Sequence, residues 1–332
     1  MYNLHEKMNT FYNNYVRLGK QRLKLAEYRD ANLDRLKAGL EELDYPDCFE
    51  HVDQGSYAMF TINQDANNNY DLDEAIIFCK DDLPENALAA RQRIETAMRR
   101  GGGNFRNPPE AKTNAVRVYY QEGHHIDLAV YRKFKDASGS EVIEHAGSEW
   151  TKRNPIEITE WFNVNVQTKS PLKDFGACVD ENQMRRIVRF VKYFSKSRPD
   201  WNMPGGLIIS VLVDECYLVD YERDDISLYR TMSNLFSRLQ LQEEVWNPVD
   251  KTQKLTCRDR DIQRIRGFRE KLGEALSSLN ILFDARCSEK QACEAWRQVF
   301  NHSFWESDNS KSSIAIVKRV PPPSPWSKSL WM

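Results

Sequence analysis

The sequence predicts an α+β protein of two lobes: a mixed sheet with helices, led by a long N-terminal spine helix, then a helical second lobe. Three observations predict it. Residues 4 to 43 are rich in Leu, Lys, Arg, Glu and Ala and contain no proline. Short apolar or alternating runs bounded by turn residues follow, as strands do. After Pro155 the pattern turns helical. At 332 residues the chain is long enough to bury a core in each lobe.

The N-terminal segment reads as one or two helices broken near Gly19 and ended by Asp44-Tyr45-Pro46-Asp47. Its Lys20, Arg22 and Lys24 are expected on a solvated face. Residues 50 to 80 supply a Gly-Ser turn and an acidic strand. Glu85 onward reads as a helix ended by Gly101-Gly102-Gly103, a triplet without the Gly-Lys-Ser/Thr of a P-loop and so a helix exit. Val116 to Tyr120 and Ile126 to Tyr131 read as a hairpin around Gln121-Glu122-Gly123-His124. The first lobe is expected over 1–150, the second over 151–319, and an extended or mobile tail over 320–332, where three consecutive prolines exclude regular helix.

Within the second lobe, residues 181–197 make an amphipathic helix. Met184, Ile187, Val188, Val191 and Phe194 form its apolar stripe, and Arg185, Arg189, Lys192 and Lys196 share another face. Four cations with few acids at i±4 need solvent or an outside partner. Leu207 to Val213 is a buried helix or strand. Asn247-Pro248-Val249-Asp250 is a turn before an amphipathic helix over 258–279, and a further helix is expected over 290–302.

Bulk properties narrow the function. A formal net charge of −2 argues against a general polyanion binder. The N-terminus has no apolar leader and no run approaches a membrane span, so a cytoplasmic protein without membrane association is expected. Seven cysteines, odd in number and without a Cys-x-x-Cys pair, read as reduced thiols, and no zinc-ligand spacing accompanies them.

The chemistry concentrates in three carboxylates. Asp71 and Asp73, two apart on a strand, point the same way. Asp127, alternating with Ile126, Leu128 and Val130, can join them from a neighbouring strand. An isolated Asp-x-Asp is commonly a solvated strand end. Three acids on buried strands, however, repel one another unless cations lie between them, and hard oxygen ligands suit Mg2+. The Gly55-Ser56 turn adds close backbone approach and a hydroxyl for phosphate. This arrangement predicts nucleotidyl transfer.

Gly55-Ser56, Asp71-Leu72-Asp73 and Asp127 resemble the signature of polymerase-β-like nucleotidyltransferases. The flanks resemble, more narrowly, the bacterial cyclic-oligonucleotide synthases (cGAS/DncV-like nucleotidyltransferases, or CD-NTases), closest to the cyclic GMP–AMP synthase branch. They are Gln54 to Tyr57, Thr61-Ile62-Asn63, His125-Ile126-Asp127, Glu160-Trp161-Phe162, Arg185 to Lys192 and Asn247-Pro248-Val249, in the family's order.

The resemblance implies a polymerase-β-like lobe and an enzyme that joins ATP, GTP or other ribonucleoside triphosphates into a cyclic oligonucleotide, releasing pyrophosphate. Cyclic GMP–AMP is the favoured product. It implies two Mg2+ ions, replaceable by Mn2+, on Asp71, Asp73 and Asp127. Gly55 and Ser56 would hold donor phosphates, Lys192 would hold phosphate with Arg189 in support, and Gln54 would orient the turn or contact phosphate or sugar. Arg117 would contact a base or, as a surface arginine, pair with Glu122; Tyr57 is a second base candidate. His124 and His125 are expected to pack or turn. Gly205 and Gly206 stand where several relatives carry serine, which removes a hydroxyl contact to the donor. The implied setting is anti-phage (CBASS-type) signalling through a separate effector protein, with regulatory partner proteins and without direct nucleic-acid activation. A linear oligoadenylate synthase, a protein AMP-transferase and an inactive nucleotide-binding module are the alternatives.

Overall fold

The computed structural model describes residues 1–65, 67–103, 107–174 and 182–306. The N-terminal helix breaks where the sequence places Gly19. α1 (His5–Phe11) runs on as a π-helical turn, Tyr12–Val16, and α2 (Gln21–Glu42) begins after Gly19, whose φ of +59° is the left-handed region that glycine enters freely.

The two halves serve different lobes. Leu4, Met8, Phe11, Tyr12 and Val16 pack among Phe190, Phe300 and Trp305 of the helical lobe. Leu25, Leu36 and Leu40 pack on the sheet. Residues before Gly19 therefore join the core beyond the boundary drawn at residue 150.

β1 (Glu50–Gln54) leads through the short α3 (Gly55–Ala58) to β2 (Asp71–Cys79) and α4 (Ala87–Arg100). β3 (Asn107–Ala111), β4 (Val116–Tyr119), β5 (His125–Lys135), β6 (Glu141–Ala146) and β7 (Trp150–Lys152) complete one mixed sheet. Its order is β1-β2-β5-β4-β3, with β6 beside the far half of β5 and β7 beside β6. β2 and β5 run parallel; the other pairs are antiparallel.

The expected hairpin is β4–β5. β3 was not legible, because Pro108 and Pro109 speak against a strand and are tolerated here only at the sheet edge.

Period-2 alternation divides the sheet's faces. Leu72, Ile76 and Phe78 of β2, with Ile126, Leu128 and Val130 of β5, are buried against α2 and α4. Asp71, Asp73, Ala75 and Ile77, with Asp127, Ala129 and Tyr131, take the opposite face. The first face is sealed tightly: a Cβ on Gly39 of α2 would stand 1.8 Å from the Ala97 carbonyl oxygen of α4.

α5 (Glu157–Lys169), α6 (Gln183–Ser195), α7 (Gly206–Cys216), α8 (Asp224–Leu241), α9 (Asp259–Leu279) and α10 (Glu289–Phe300) build the second lobe around one apolar core. The Leu207–Val213 run is thus helical. The expected tail, 320–332, lies outside the described residues. Among the described residues, no helix is long and apolar enough to cross a membrane.

Candidate active site

Parallel pairing assembles the acids. β2 and β5 are in register with Asp73 beside Asp127 and Asp71 beside His125. The turn before them is fitted closely: Gly55 has φ +58°, and a Cβ there would lie 2.2 Å from Asp73 Oδ2. Only glycine lets this backbone approach the carboxylate without strain.

No side chain among the described residues hydrogen-bonds to Asp73. Burial, and then the charges of Asp71 and Asp127, push its pKa up to about 7. Asp71 is held below the ordinary carboxylate value. Burial works the other way, but a hydrogen bond from His125 and the charges of His125, Arg117 and Lys196 outweigh it.

Asp127 is bound bidentately by Arg117, whose Nε and Nη2 lie 2.7 and 2.6 Å from its two oxygens. The two residues are directly opposed across β4 and β5, which explains the pairing. Arg117 therefore does not pair with Glu122, which instead accepts from Lys24 and from the Tyr28 hydroxyl.

The donor set suits a divalent cation. Asp71, His125 and Asp127 each offer a ligand atom, and these atoms lie within 4.8 Å of one another. Asp73 adds a half-buried carboxylate to which no side chain among the described residues hydrogen-bonds, which is the state a cation would relieve.

Two cavities, of about 420 and 540 Å3, meet at this cluster and share Ser56, Asp71, Lys192 and Gly206. Both lie in the range of small-molecule sites. The first holds all three acids with Gln54, Tyr131 and Arg153; the second holds Thr61, Lys196 and Trp201.

Lys192 reaches the junction from α6. It is buried, its Nζ donates to Thr61 Oγ1 at 2.7 Å, and burial, followed by repulsion from Lys196 and Arg189, lowers its pKa to about 7. An entering phosphate would restore its charge. Gln54 Nε2 donates to the Tyr131 hydroxyl at 3.1 Å, which fixes the turn against β5.

The other predicted cations are placed differently. Arg185 is fully buried and donates to the Met59 carbonyl and to Asn163 and Asn182. Arg189 is 2% exposed, bonds the Tyr12 hydroxyl, and lines neither cavity. The stripe is thus largely interior rather than solvated, because Tyr12 covers Arg189, Met59 and Asn163 of α5 take Arg185, and Thr61 meets Lys192; Lys196 remains exposed. Tyr57 is buried too, its ring beneath the Arg22 guanidinium, and lines neither cavity. Arg22 is held by that ring and by Phe60, so it is no solvated residue.

His124 packs as expected, stacked on Tyr120. His125 does not: its Nε2 lies 3.0 Å from Asp71 Oδ1. Its place was readable only through the β2–β5 register. Arg153 also lines the first cavity without a motif to announce it, whereas Thr61, in the second, belongs to the Thr61-Ile62-Asn63 motif but had been given no role.

Residues 50–131 match the family described as cyclic GMP-AMP synthase DncV-like, nucleotidyltransferase domain. Solved structures share the architecture. CdnC of E. coli MS115-1 with ATP is 15% identical, covering 90% of this chain and 98% of that one, with a TM-score of 0.64. The Bradyrhizobium diazoefficiens CD-NTase CdnG in complex with GTP is 16% identical over 90% and 95%, with a TM-score of 0.64. Vibrio cholerae DncV cyclic AMP-GMP synthase, in complex with the linear intermediate 5′ pppA(3′,5′)pG, is 14% identical over 91% and 96%, with a TM-score of 0.66.

Proposed function

The chain is a nucleotidyltransferase with the fold of the bacterial CD-NTases and a DncV-like catalytic domain, and on that premise we propose that it joins ribonucleoside triphosphates into a cyclic oligonucleotide. One observation carries the reading: Asp73 stands in register with Asp127 on adjacent parallel strands, against the Gly55-Ser56 turn. The ligands of the similar proteins support the substrate class, since CdnC was solved with ATP, CdnG with GTP and DncV with a linear intermediate.

Asp71, Asp73 and Asp127 would hold Mg2+, as two ions, with Mn2+ able to replace it. Such ions would lower the pKa of an attacking ribose hydroxyl and neutralise charge on the leaving pyrophosphate. The remaining work falls to the protein. Ser56 offers its hydroxyl to donor phosphate where the two cavities join. Lys192 takes a proton and balances phosphate charge. Arg117 holds the Asp127 carboxylate in plane until substrate and cation arrive, and is then free to meet a base. Two cavities sharing one acid cluster give room for a donor and an acceptor, and for a linear intermediate to re-enter. Cyclic GMP–AMP is the product favoured by the DncV-like domain. A cytoplasmic role in anti-phage signalling, with a separate effector reading the product, belongs to the same proposal. So does a regulatory protein partner, since CdnC also forms a complex with HORMA-deltaN.

The test incubates the protein with the four ribonucleoside triphosphates and Mg2+ or Mn2+, then phosphatase, and identifies survivors by mass spectrometry. A phosphatase-resistant cyclic product, absent with Asp71→Ala/Asp73→Ala, is expected. Linear or protein-attached nucleotide alone would replace cyclisation by one of the other transfer reactions.

A further inference from the structure

Away from the acids, the start of α2 meets α6 at a pocket of about 340 Å3 lined by Arg17, Lys20, Arg22 and Arg189, with Ile62 and Leu23. No acid lines it. Arg189 is 2% exposed, yet its Nε has no hydrogen-bond partner and no carboxylate pairs with it among the described residues. A buried, incompletely bonded guanidinium is costly unless an anion reaches it. Arg22 is held rigidly between the Tyr57 and Phe60 rings, 3.8 and 3.7 Å from their centroids. The 22-residue α2 also directs its positive end here, and the Lys20 side chain at its N-cap makes no capping hydrogen bond. In a protein of net charge −2, four cations around one small hollow are a local arrangement, not an overall excess.

We propose that this pocket is a second anion site, distinct from the catalytic cleft, that takes a small phosphorylated ligand with two or more negative charges. Its volume admits a di- or triphosphate group. Guanidinium forks and a helix N-terminus are the groups that recognise one.

The pocket is wired to the cleft. Ile62 lines both this pocket and the 540 Å3 cavity. Thr61 accepts from Lys192, and Asn63 Nδ2 donates to the Arg189 carbonyl at 2.9 Å. Arg189 and Lys192 lie one turn apart on α6. An anion on Arg189 thus offsets a positive charge facing Lys192, and occupancy of the pocket regulates phosphate binding in the cleft.

The experiment is isothermal titration of the full chain with inorganic pyrophosphate in EDTA at low salt. Without a cation, three carboxylates repel pyrophosphate from the cleft, so binding reports the second pocket whether or not the catalytic reading holds. Wild-type protein is expected to bind, Lys20→Glu to bind about tenfold or more weakly, and Lys192→Met to lose clearly less than Lys20→Glu, only the share that the coupling carries. Arg189→Gln should match Lys20→Glu; because Lys20 is exposed, its variant keeps the test decisive if Arg189→Gln fails to fold. Absence of wild-type binding, indifference to Lys20→Glu, or an equal loss with Lys192→Met overturns the proposal.

Discussion

Aspartates withdrawn from solvent, wholly in the helical lobe and partly in the sheet lobe, have opposite surroundings. Asp225 is fully buried in the helical lobe and is satisfied on every side. Arg223 grips it with Nε and Nη2 at 3.0 and 2.7 Å, and the Leu4 amide donates at 3.0 Å. Its neighbour Asp224 is held by Arg186 and Gln183. In the sheet lobe, Asp73 faces two further carboxylates and receives no side-chain hydrogen bond among the described residues. The first pair fastens the N-terminal segment to α8. The second arrangement works against the fold and makes sense only as a place for a cation and its ligand. An acid withdrawn from solvent thus announces function by the partners it lacks.

The largest stability effect should come from the satisfied side. Asp225→Ala strands the Arg223 charge beside Leu4 and should cost about 3–5 kcal/mol in denaturant unfolding. A loss below about 1 kcal/mol would make the contrast between the lobes empty. Next comes chemistry: Lys192→Met should lower kcat/KM for pyrophosphate release about a hundredfold while leaving the far-ultraviolet spectrum unchanged. A change in folding without a change in kinetics would move Lys192 to the structural side.

A third, smaller effect tests an intermediate case. Glu74 lies on the packed face of β2, against His51 Nδ1 at 2.8 Å. Burial, then the Asp53 carboxyl, raises its pKa to about 9. An unfolded glutamate loses its proton near pH ~4.3, so the folded state holds the extra proton across this window. Stability then falls as pH rises from there toward about 9. Glu74→Gln should flatten the pH dependence of the urea midpoint between those limits. An unaltered slope would show that Glu74 is ionised and held by His51.

Much of this was readable in the residues. Alternation along Asp71–Phe78 and Ile126–Tyr131 was strict enough to give both the strands and the face on which the acids meet. The ends of α6, α9 and α10 came within two residues of expectation, since their apolar stripes are long. What stayed hidden depends on contacts between distant segments. His125 reaches Asp71 only because β2 and β5 pair in parallel. The cations of α6 were expected to meet solvent or an outside partner, because a single-helix view contains neither the Tyr12 hydroxyl that meets Arg189 nor the Met59 carbonyl and Asn163 that take Arg185. Pro108 and Pro109 concealed β3, whose edge position alone makes proline acceptable. Gln54 and Thr61 carry no charge or periodic signal from which their partners could be inferred.

The central claim is that the acids of the sheet lobe are kept for chemistry at the expense of stability. Asp73→Asn tests it in one protein. At pH 8, above the raised pKa of about 7, the wild-type carboxylate bears its full repulsion. The account predicts that the metal-free variant melts at the same temperature as wild type or higher, while pyrophosphate release from ribonucleoside triphosphates with Mg2+ falls at least about 10²–10³-fold. A variant that melts lower, as Asp225→Ala should, and still releases pyrophosphate at the wild-type rate would contradict it.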